Sequence, residues 1–523
     1  MVSIVARIYS GCIDMLKLSD FWRNRVEEMA AIDLGSNSFH MIVARLEKGE
    51  LKVLDRIKEP VRLGFGLSAD GKLDDLSQRR ALECLARFGQ RISHLPPHAV
   101  RAVGTRTLRK AANAGPFLAR AETALGHSID VVSGAEEARL IYQGVAQGLD
   151  DELDRRLVVD IGGGSTEVIV GEQFQPLLLD SLGMGCVAIM RDFFDDGQLS
   201  KKSVKKAITF CLQKIEPVHD GFERIGWQRA IGCSGSIKSI SKVAEAMTGN
   251  PVITRSLLND LCDQAGQSKN VDDFNPNGLT SDRKPVFLGG LIVLRAVFEG
   301  LGLETMEASP WALREGLLYD LIGRYDHEDV RSRGVQHLAQ RFHTDTEQAK
   351  RVADTALRFF NDNLVALGLD QPEPWSNYLR WAAQVAEVGL DISHNQFHKH
   401  SGYIVANCDL AGFSHEEQQR LTFLVRHHRK KPDLNKLTEL GEDDQILMPI
   451  LLVIFRIATV LHRARTGSTS DGVKLRIDGE QILLSARSDW WDNHGLTQAD
   501  LEQEAQYLSK LGFGLLLQQS LTE

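Results

Sequence analysis

The sequence predicts an α/β protein built from two related half-domains, followed by a helical region and a small α/β tail. Three observations carry this. Residues 30–38 read Ala-Ala-Ile-Asp-Leu-Gly-Ser-Asn-Ser and residues 157–166 read Leu-Val-Val-Asp-Ile-Gly-Gly-Gly-Ser-Thr. Each is an apolar run, an Asp, an apolar residue and a Gly/Ser-rich turn, and the two lie about one domain length apart. Around each, strand-like and helix-like patterns alternate. From about residue 323 charged helical periodicity takes over, until Val473, Leu475 and Ile477, an Asp478-Gly479 turn, then Ile482 and Leu484 mark a hairpin.

The first module is taken as residues 29–149. Strands are expected at about 30–34, 40–45, 51–57, 99–104 and 128–132, and helices at about 75–93, 114–125 and 135–147. The second, 150–322, repeats the plan with strands at 157–161, 167–171 and 228–232 and helices at 200–222, 235–247 and 286–300. Residues 323–465 form the helical region and 466–523 the tail. Residues 1–28 mix apolar residues with Asp14, Lys17 and Asp20, a poor signal peptide. They are expected to be a loosely held extension or a misassigned start ahead of Met29.

At 523 residues, a single core is not expected. The composition, 43% hydrophobic and 25% charged, is ordinary for a globular protein. A formal charge of −9 argues against generic nucleic-acid binding but leaves room for a local basic groove that takes a polyanion. The seven cysteines are scattered, odd in number and free of Cys-x-x-Cys pairs. They read as reduced, mostly buried thiols of a cytoplasmic protein rather than a disulfide framework or zinc site. No apolar run reaches about 18 residues, so no membrane-spanning helix is expected.

Gly162-Gly163-Gly164-Ser165-Thr166 follows a strand, where backbone N–H groups can approach phosphate oxygens without obstruction by Cβ. It lacks the Gly-Lys-Ser/Thr of a nucleotide-binding P-loop. Alone it reads as a tight turn, and its pairing with Asp33-Leu-Gly-Ser36-Asn37-Ser38 points to two loops closing on one polyanion. A third turn, Gly232-Cys-Ser-Gly235-Ser236, also follows a strand. Asp33, Asp160 and Glu167 sit in or beside the loops. Carboxylates next to phosphate call for a divalent cation, and Mg²⁺ is the default, with loop-stabilising side chains as the alternative for the two aspartates. Ser133 and Glu136 have capping-box spacing, which leaves Glu137 as the candidate general base. Arg106 and Arg109 follow a strand, and Arg62 precedes a Leu-Gly turn. Of the three, Arg109 and then Arg62 are preferred as phosphate-binding guanidiniums. In the helical region His394, His398, His400, His427 and His428, with Arg426, Arg429, Lys430 and Lys431, read as a basic surface more than a metal site.

Taken together, Ala31-Ile-Asp-Leu-Gly-Ser-Asn-Ser-Phe-His-Met41, Ser133-Gly-Ala-Glu-Glu-Ala-Arg-Leu-Ile141, Asp160-Ile-Gly-Gly-Gly-Ser-Thr-Glu167, Met184-Gly-Cys-Val187, Gly232-Cys-Ser-Gly-Ser236 and Ala312-Leu-Arg-Glu-Gly316 resemble the exopolyphosphatase/guanosine pentaphosphate phosphatase family. The resemblance runs from about residue 29 almost to the end. It implies two actin-like (ribonuclease H-like) domains, a degenerate HD-like helical domain and a small α/β domain. In the helical domain, Ala386-Glu387 stands where a metal-binding His-Asp dyad would be, so no second metal centre is expected. It further implies that Glu137 is the catalytic base and that Asp160 and Glu167 are magnesium-linked acids. By the same resemblance, Ser36, Asn37, Gly162, Gly163, Gly164 and Ser165 lie on phosphate loops, and Arg109 contacts phosphate. One departure is Trp311, where a small residue is usual.

The expected activity is Mg²⁺-dependent release of terminal phosphate from inorganic polyphosphate, with the basic helical surface guiding the polymer. Hydrolysis of guanosine pentaphosphate (pppGpp) is the alternative, because the chemistry is the same. A homodimer in the cytoplasm is expected, with peripheral association at the inner face of the cell membrane left open.

Overall fold

The computed structural model describes residues 28–47, 50–68, 70–148, 154–325, 330–370, 372–433, 437–438, 440–441, 444–465 and 470–520. The expected extension, with Cys12, lies outside the described residues up to position 27. The chain divides into two compact units, Met1–Glu328 and Asp329–Glu523.

In the first unit, β1 (Glu28–Leu34), β2 (Phe39–Glu47) and β3 (Glu50–Glu59) run antiparallel, and β4 (Val100–Gly104) and β5 (Ile129–Val131) add parallel to β1, giving the order β3-β2-β1-β4-β5. The second sheet holds β6 (Arg155–Ile161), β7 (Thr166–Glu172), β8 (Gln175–Leu182), β9 (Arg229–Cys233), β10 (Ile253–Thr254) and β11 (Thr305–Ala308), in the order β10-β11-β9-β6-β7-β8. Read as β8-β7-β6-β9-β11, it repeats the first sheet strand for strand and direction for direction, with β10 as an added edge. This is the duplicated actin-like plan. Both central strands are continuous apolar runs because they are buried on both faces. Glu28 already pairs with Arg45, so β1 starts inside the expected extension.

The helices are α1 (Asp75–Ile92), α2 (Arg106–Lys110), α3 (Ala114–Leu125), α4 (Gly134–Gln147), α5 (Cys186–Phe193), α6 (Lys201–Ile225), α7 (Ser234–Thr248), α8 (Arg255–Gln267), α9 (Lys284–Gly300) and α10 (Leu313–Tyr325). β8, β10, β11, α2, α5, α8 and α10 are additions to the sequence reading. β8 reads Gln-Pro-Leu-Leu-Leu-Asp-Ser-Leu, without alternation, and β11 has only four residues. α1 and α3 cover the outer face of the first sheet, and α5 to α9 that of the second. Between the sheets lies a shared apolar layer that includes Ala31 and Val103 of one sheet, Val158 and Ile169 of the other, Leu140 of α4 and Leu317 of α10.

The middle layer is exchanged. α4 belongs to the first module in sequence yet packs on β7 and β8, while α10, from the second, packs on β1, β2 and β4. The two helices cross with almost nothing between them. A Cβ on Gly316 would lie 1.8 Å from the Leu140 carbonyl oxygen, and one on Gly144 would lie 2.2 Å from that of Ala312. Buried Arg139 ties the pair. Its guanidinium donates to both Glu136 oxygens at 2.8 Å and to Asp320 Oδ1 at 2.5 Å. Glu136 therefore spends its carboxylate on Arg139, while Ser133 Oγ caps α4 by accepting from the Glu136 amide at 3.1 Å. Trp311 covers the far end of α4. A Cβ on Gly148 would lie 2.4 Å from its indole ring.

The second unit packs α11 (Val330–Arg341), α12 (Thr346–Asn361), α13 (Trp375–Val385), α14 (Phe397–Asn407), α15 (His415–His427) and α16 (Asp444–Leu461) with a sheet of β12 (Lys474–Asp478), β13 (Gln481–Arg487) and β14 (Gly514–Ser520), plus α17 (Ser488–Asn493) and α18 (Gly495–Leu508). The predicted hairpin forms about Gly479, with Asp478 opposite Gln481. The sequence separates helical region and tail, but here they share one core. Asn363 at the end of α12 donates to the Leu475 carbonyl at 2.9 Å and accepts from the Ile477 amide at 2.8 Å. α16 is long and apolar enough to cross a membrane (mean hydropathy 1.9), but 78% of it is buried as the core helix, with Arg456 paired to Glu504.

The histidine-rich stretch keeps only part of the basic surface expected of it: His394, Lys430 and Lys431 are exposed and His400, Arg426 and Arg429 half-buried. His398, His427 and His428 are buried. Burial pushes the His398 imidazole down to about 4 and that of His428 to about 3, so neither carries charge near neutral pH. Among the described residues the cysteines are free thiols, all buried except half-buried Cys408.

Gly316→Ala forces a methyl group onto backbone, an overpacking cost of about 1–3 kcal/mol. It should lower the calorimetric transition of the first unit by several degrees. Gly115→Ala on α3, where a Cβ meets nothing, should leave the transition unchanged or raise it. Equal behaviour of the two variants would mean that the helix crossing is loose.

Candidate active site

Both sheets bring the C-terminal ends of their parallel strands to one opening, where open α/β sheets bind ligands. The result is a cavity of about 280 Å³. The first phosphate loop follows β1 and the second follows β6. They approach so closely that a Cβ on Gly163 would lie 2.8 Å from Ser36 Cβ and 3.6 Å from the Asn37 amide nitrogen. Thr107 Oγ1 donates to Ser36 Oγ at 2.7 Å and fixes the first loop. The second is closed by Gly162 N–H to the Ser165 carbonyl at 2.9 Å and anchored by the Val187 amide on the Gly163 carbonyl at 2.8 Å. The third turn forms the N-terminus of α7, which presents free backbone N–H groups to an anion. Gly235 there faces Arg283, whose Nη1 would be 2.8 Å from a Cβ. Ser36, Asn37, Gly162, Gly163, Gly164, Ser165 and Gly235 all line the cavity.

The acids come from cross-strand rows. Asp33 on β1 lies opposite His40 on β2, which lies opposite Lys58 on β3. In the other sheet, Asp160 lies opposite Glu167, and Glu167 opposite Ser181. Glu137 enters from the first turn of α4. Asp33, Asp160 and Glu137 line the cavity, whereas Glu167 stands behind Asp160, accepting from Ser181 Oγ at 2.8 Å. Burial, then the Glu137 charge, raises the Asp33 carboxyl to about 7. Burial also raises Glu137, against the pull of Arg109, and Asp160, against hydrogen bonds from Ser234 (2.6 Å) and Cys233 (3.3 Å). Glu167 goes well above the usual range through burial and the charges of Glu137 and Asp160. Asp33 Oδ1 is fully buried, with no hydrogen-bond partner among the described residues. An orphaned carboxylate oxygen among mutually repelling carboxylates is an oxygen-only donor set that fits a small hard cation such as Mg²⁺.

The arginines are distributed differently from the expectation. Arg109 Nη1 donates to Glu137 Oε2 at 2.8 Å and to the Val132 carbonyl at 2.7 Å, and Arg109 is not among the lining residues. It is bonded to the candidate base. Arg62 is exposed, in left-handed backbone conformation with φ of 55°, and points into no part of the cavity lining. Of the three, Arg106 is the one that lines the cavity. It lies against Gly164, and its guanidinium has no hydrogen-bond or ion-pair partner among the described residues.

Sequence reasoning also missed a basic cluster in the same cavity, formed by Lys58, Lys238, Arg283 and Arg314. Burial, then the Arg283 charge, lowers the Lys58 ammonium, and burial lowers Lys238. Arg283 Nε is buried without a partner. Arg314 donates to His40 Nδ1 at 2.7 Å, which together with burial keeps that imidazole neutral. The available signal was register: Lys58 shares a strand row with Asp33.

A phosphate-loop pair, a buried carboxylate base and a lobe of cations define a phosphoryl-transfer site. The profile of the Ppx/GppA phosphatase family matches residues 42–325, and that of Ppx/GppA phosphatase, domain III, matches residues 330–505. The chain belongs to this family and is a phosphoanhydride hydrolase. It is 37% identical over 484 residues to the guanosine-5′-triphosphate,3′-diphosphate pyrophosphatase of Aeromonas hydrophila, covering 92% of this chain and 97% of that one. It is 36% identical over 495 residues to the protein of that name from Pseudoalteromonas translucida, covering 93% and 98%. In fold it is similar to the crystal structure of an exopolyphosphatase from Cytophaga hutchinsonii, with a TM-score of 0.52 and 23% identity over 57% of this chain and 98% of that one.

Asp33 gives a pH test. In metal-free protein it keeps its proton up to about pH 7, whereas an unfolded Asp releases it near 3.9. The folded state binds the extra proton in that window, so stability falls as pH rises through it. With a chelator present, Asp33→Asn should gain on the wild type in urea midpoint between pH 4 and pH 7.5. Added Mg²⁺ should raise the wild-type midpoint at pH 7.5 and barely move the variant. Parallel pH profiles would remove Asp33 from this role.

Proposed function

We propose that this chain hydrolyses the terminal 5′-phosphate of pppGpp, giving the tetraphosphate. The observation that carries the chemistry is Glu137, buried at the cavity wall between the two phosphate loops and held by Arg109 at 2.8 Å. The choice of substrate is supported by relatives named for that activity, which match almost end to end. The structural ground for preferring polyphosphate weakens in part, because His398 and His428, two of the residues expected to guide the polymer, are buried and neutral.

In this reading the loop amides and Arg106 hold the terminal phosphoryl group. Glu137 accepts a proton from water as the oxygen attacks phosphorus in line, and the bond to the bridging oxygen of the diphosphate breaks. Arg109, fixed by the Val132 carbonyl, keeps the Glu137 carboxylate aimed at that water. The raised proton affinity of Glu137 brings it toward the range where a general base works best at neutral pH. The cluster of Lys58, Lys238, Arg283 and Arg314 takes the remaining phosphates. Asp33 and Asp160, with Glu167 behind them, are the residues that would hold Mg²⁺, which when bound supplies positive charge to the phosphoryl oxygens.

The test is phosphate release from pppGpp and from long-chain polyphosphate, side by side. Release should favour pppGpp and fall about 10²–10⁴-fold in Glu137→Gln, with little change in KM. Preference for polyphosphate would move the substrate and keep the mechanism. Activity surviving Glu137→Gln would overturn the choice of base.

A further inference from the structure

A second cavity, of about 120 Å³, lies on the other side of the phosphate loops. It shares Ser36, Gly163, Gly164 and Arg106 with the active-site cavity, so the glycine loop and the Arg106 side chain form a common wall. Its far side is lined by Lys110, Arg191 and Asp192, all exposed, so it faces solvent. Three cations therefore surround a space less than half that of the active-site cavity, which suits a small oxyanion.

The charges are poorly compensated from within. Arg191 is answered by Asp192, with Nε to Oδ1 at 2.7 Å. Neither Lys110 nor Arg106 has a hydrogen-bond or ion-pair partner among the described residues. The neighbouring Arg106 charge, then partial burial, then Arg191 lower the Lys110 ammonium, opposed only by Asp192. A bound anion would remove that repulsion. Since Arg106 lines both cavities, a phosphate leaving the first has a guanidinium to follow into the second.

We propose that this second cavity is a subsite for inorganic phosphate, held by Arg106, Lys110 and Arg191, which the released phosphate occupies on its way out. Its role as an exit station rests on the hydrolase reading above, but the binding of inorganic phosphate does not.

The test uses the full chain and inorganic phosphate, without nucleotide, in titration calorimetry. The wild type should bind at least two phosphates, one of them in the second cavity. Lys110→Glu should lose one of them or weaken it at least tenfold, and Lys110→Arg should restore it. Identical titrations of wild type and Lys110→Glu would overturn the subsite. Inhibition by added phosphate is then measured during hydrolysis of whichever substrate the side-by-side assay selects. Lys110→Glu should raise the inhibition constant with KM changed less than twofold. A KM that rises in the same proportion would mean that the cavity belongs to the substrate site, and would also overturn the proposal. A chain that binds two phosphates but fails to hydrolyse pppGpp would keep the subsite and reject the substrate.

Discussion

Burying several carboxylates around one opening is expensive. Each ion taken out of water costs several kcal/mol unless a proton, hydrogen bonds or a counter-charge compensates. Asp33, Glu137, Asp160 and Glu167 are placed in just this way, and the rest of the first unit is arranged around that cost. Glu137 is compensated by Arg109, Glu167 by Ser181, and Asp160 by Ser234 and Cys233. Asp33 keeps one oxygen with no hydrogen-bond partner among the described residues. The same strain that makes these groups costly to fold makes them competent to take a proton or bind a cation. The glycines of the second loop and the exchanged helices hold them close enough for the strain to persist.

Much of this was legible in the sequence. The duplicated Asp-apolar-Gly turns announced two equivalent strands and loops, and Gly162 to Ser165, Ser36, Asn37 and Gly235 do meet at one cavity. Ser133-x-x-Glu136 correctly released Glu137 from capping duty, although Glu136 was claimed by Arg139 from the next turn. What could not be read was anything that depends on which face or partner a side chain finds after packing. Arg106 and Arg109 lie three residues apart in one short helix, and only the tertiary fold decides that one lines the cavity and the other bonds Glu137. Lys58 and Arg283 are unremarkable charges in the sequence and become a basic cluster only through strand register and the fold of the second half. His398 on α14 and His427 on α15 mislead in the opposite sense, because a helix can bury an imidazole that the sequence suggests is solvated.

The duplication extends to single residues, and the two copies have diverged in charge. His40 and Glu167 occupy equivalent places, each seven residues beyond its loop aspartate and directly across from it in the hairpin. One is a neutral imidazole leaning on Arg314, which belongs with the cations, and the other is a carboxylate that belongs with the acids. A polyanion with a distinct reacting end needs such an uneven cleft: two identical halves would offer the same potential to both ends of the substrate.

The crossing of α4 and α10 has a bearing on ancestry and on dissection. Two tandem copies of a domain can ordinarily be cut apart, and each expected to fold by itself. Here each copy has lent its neighbour a helix, so a cut near residue 150 would strip both sheets of their inner cover and expose apolar surface on each fragment. The pair has become a single inheritance unit. Fragments, circular permutants or chimaeras that respect the linear boundary between the copies would divide a core that the chain closes only once α10 has been made.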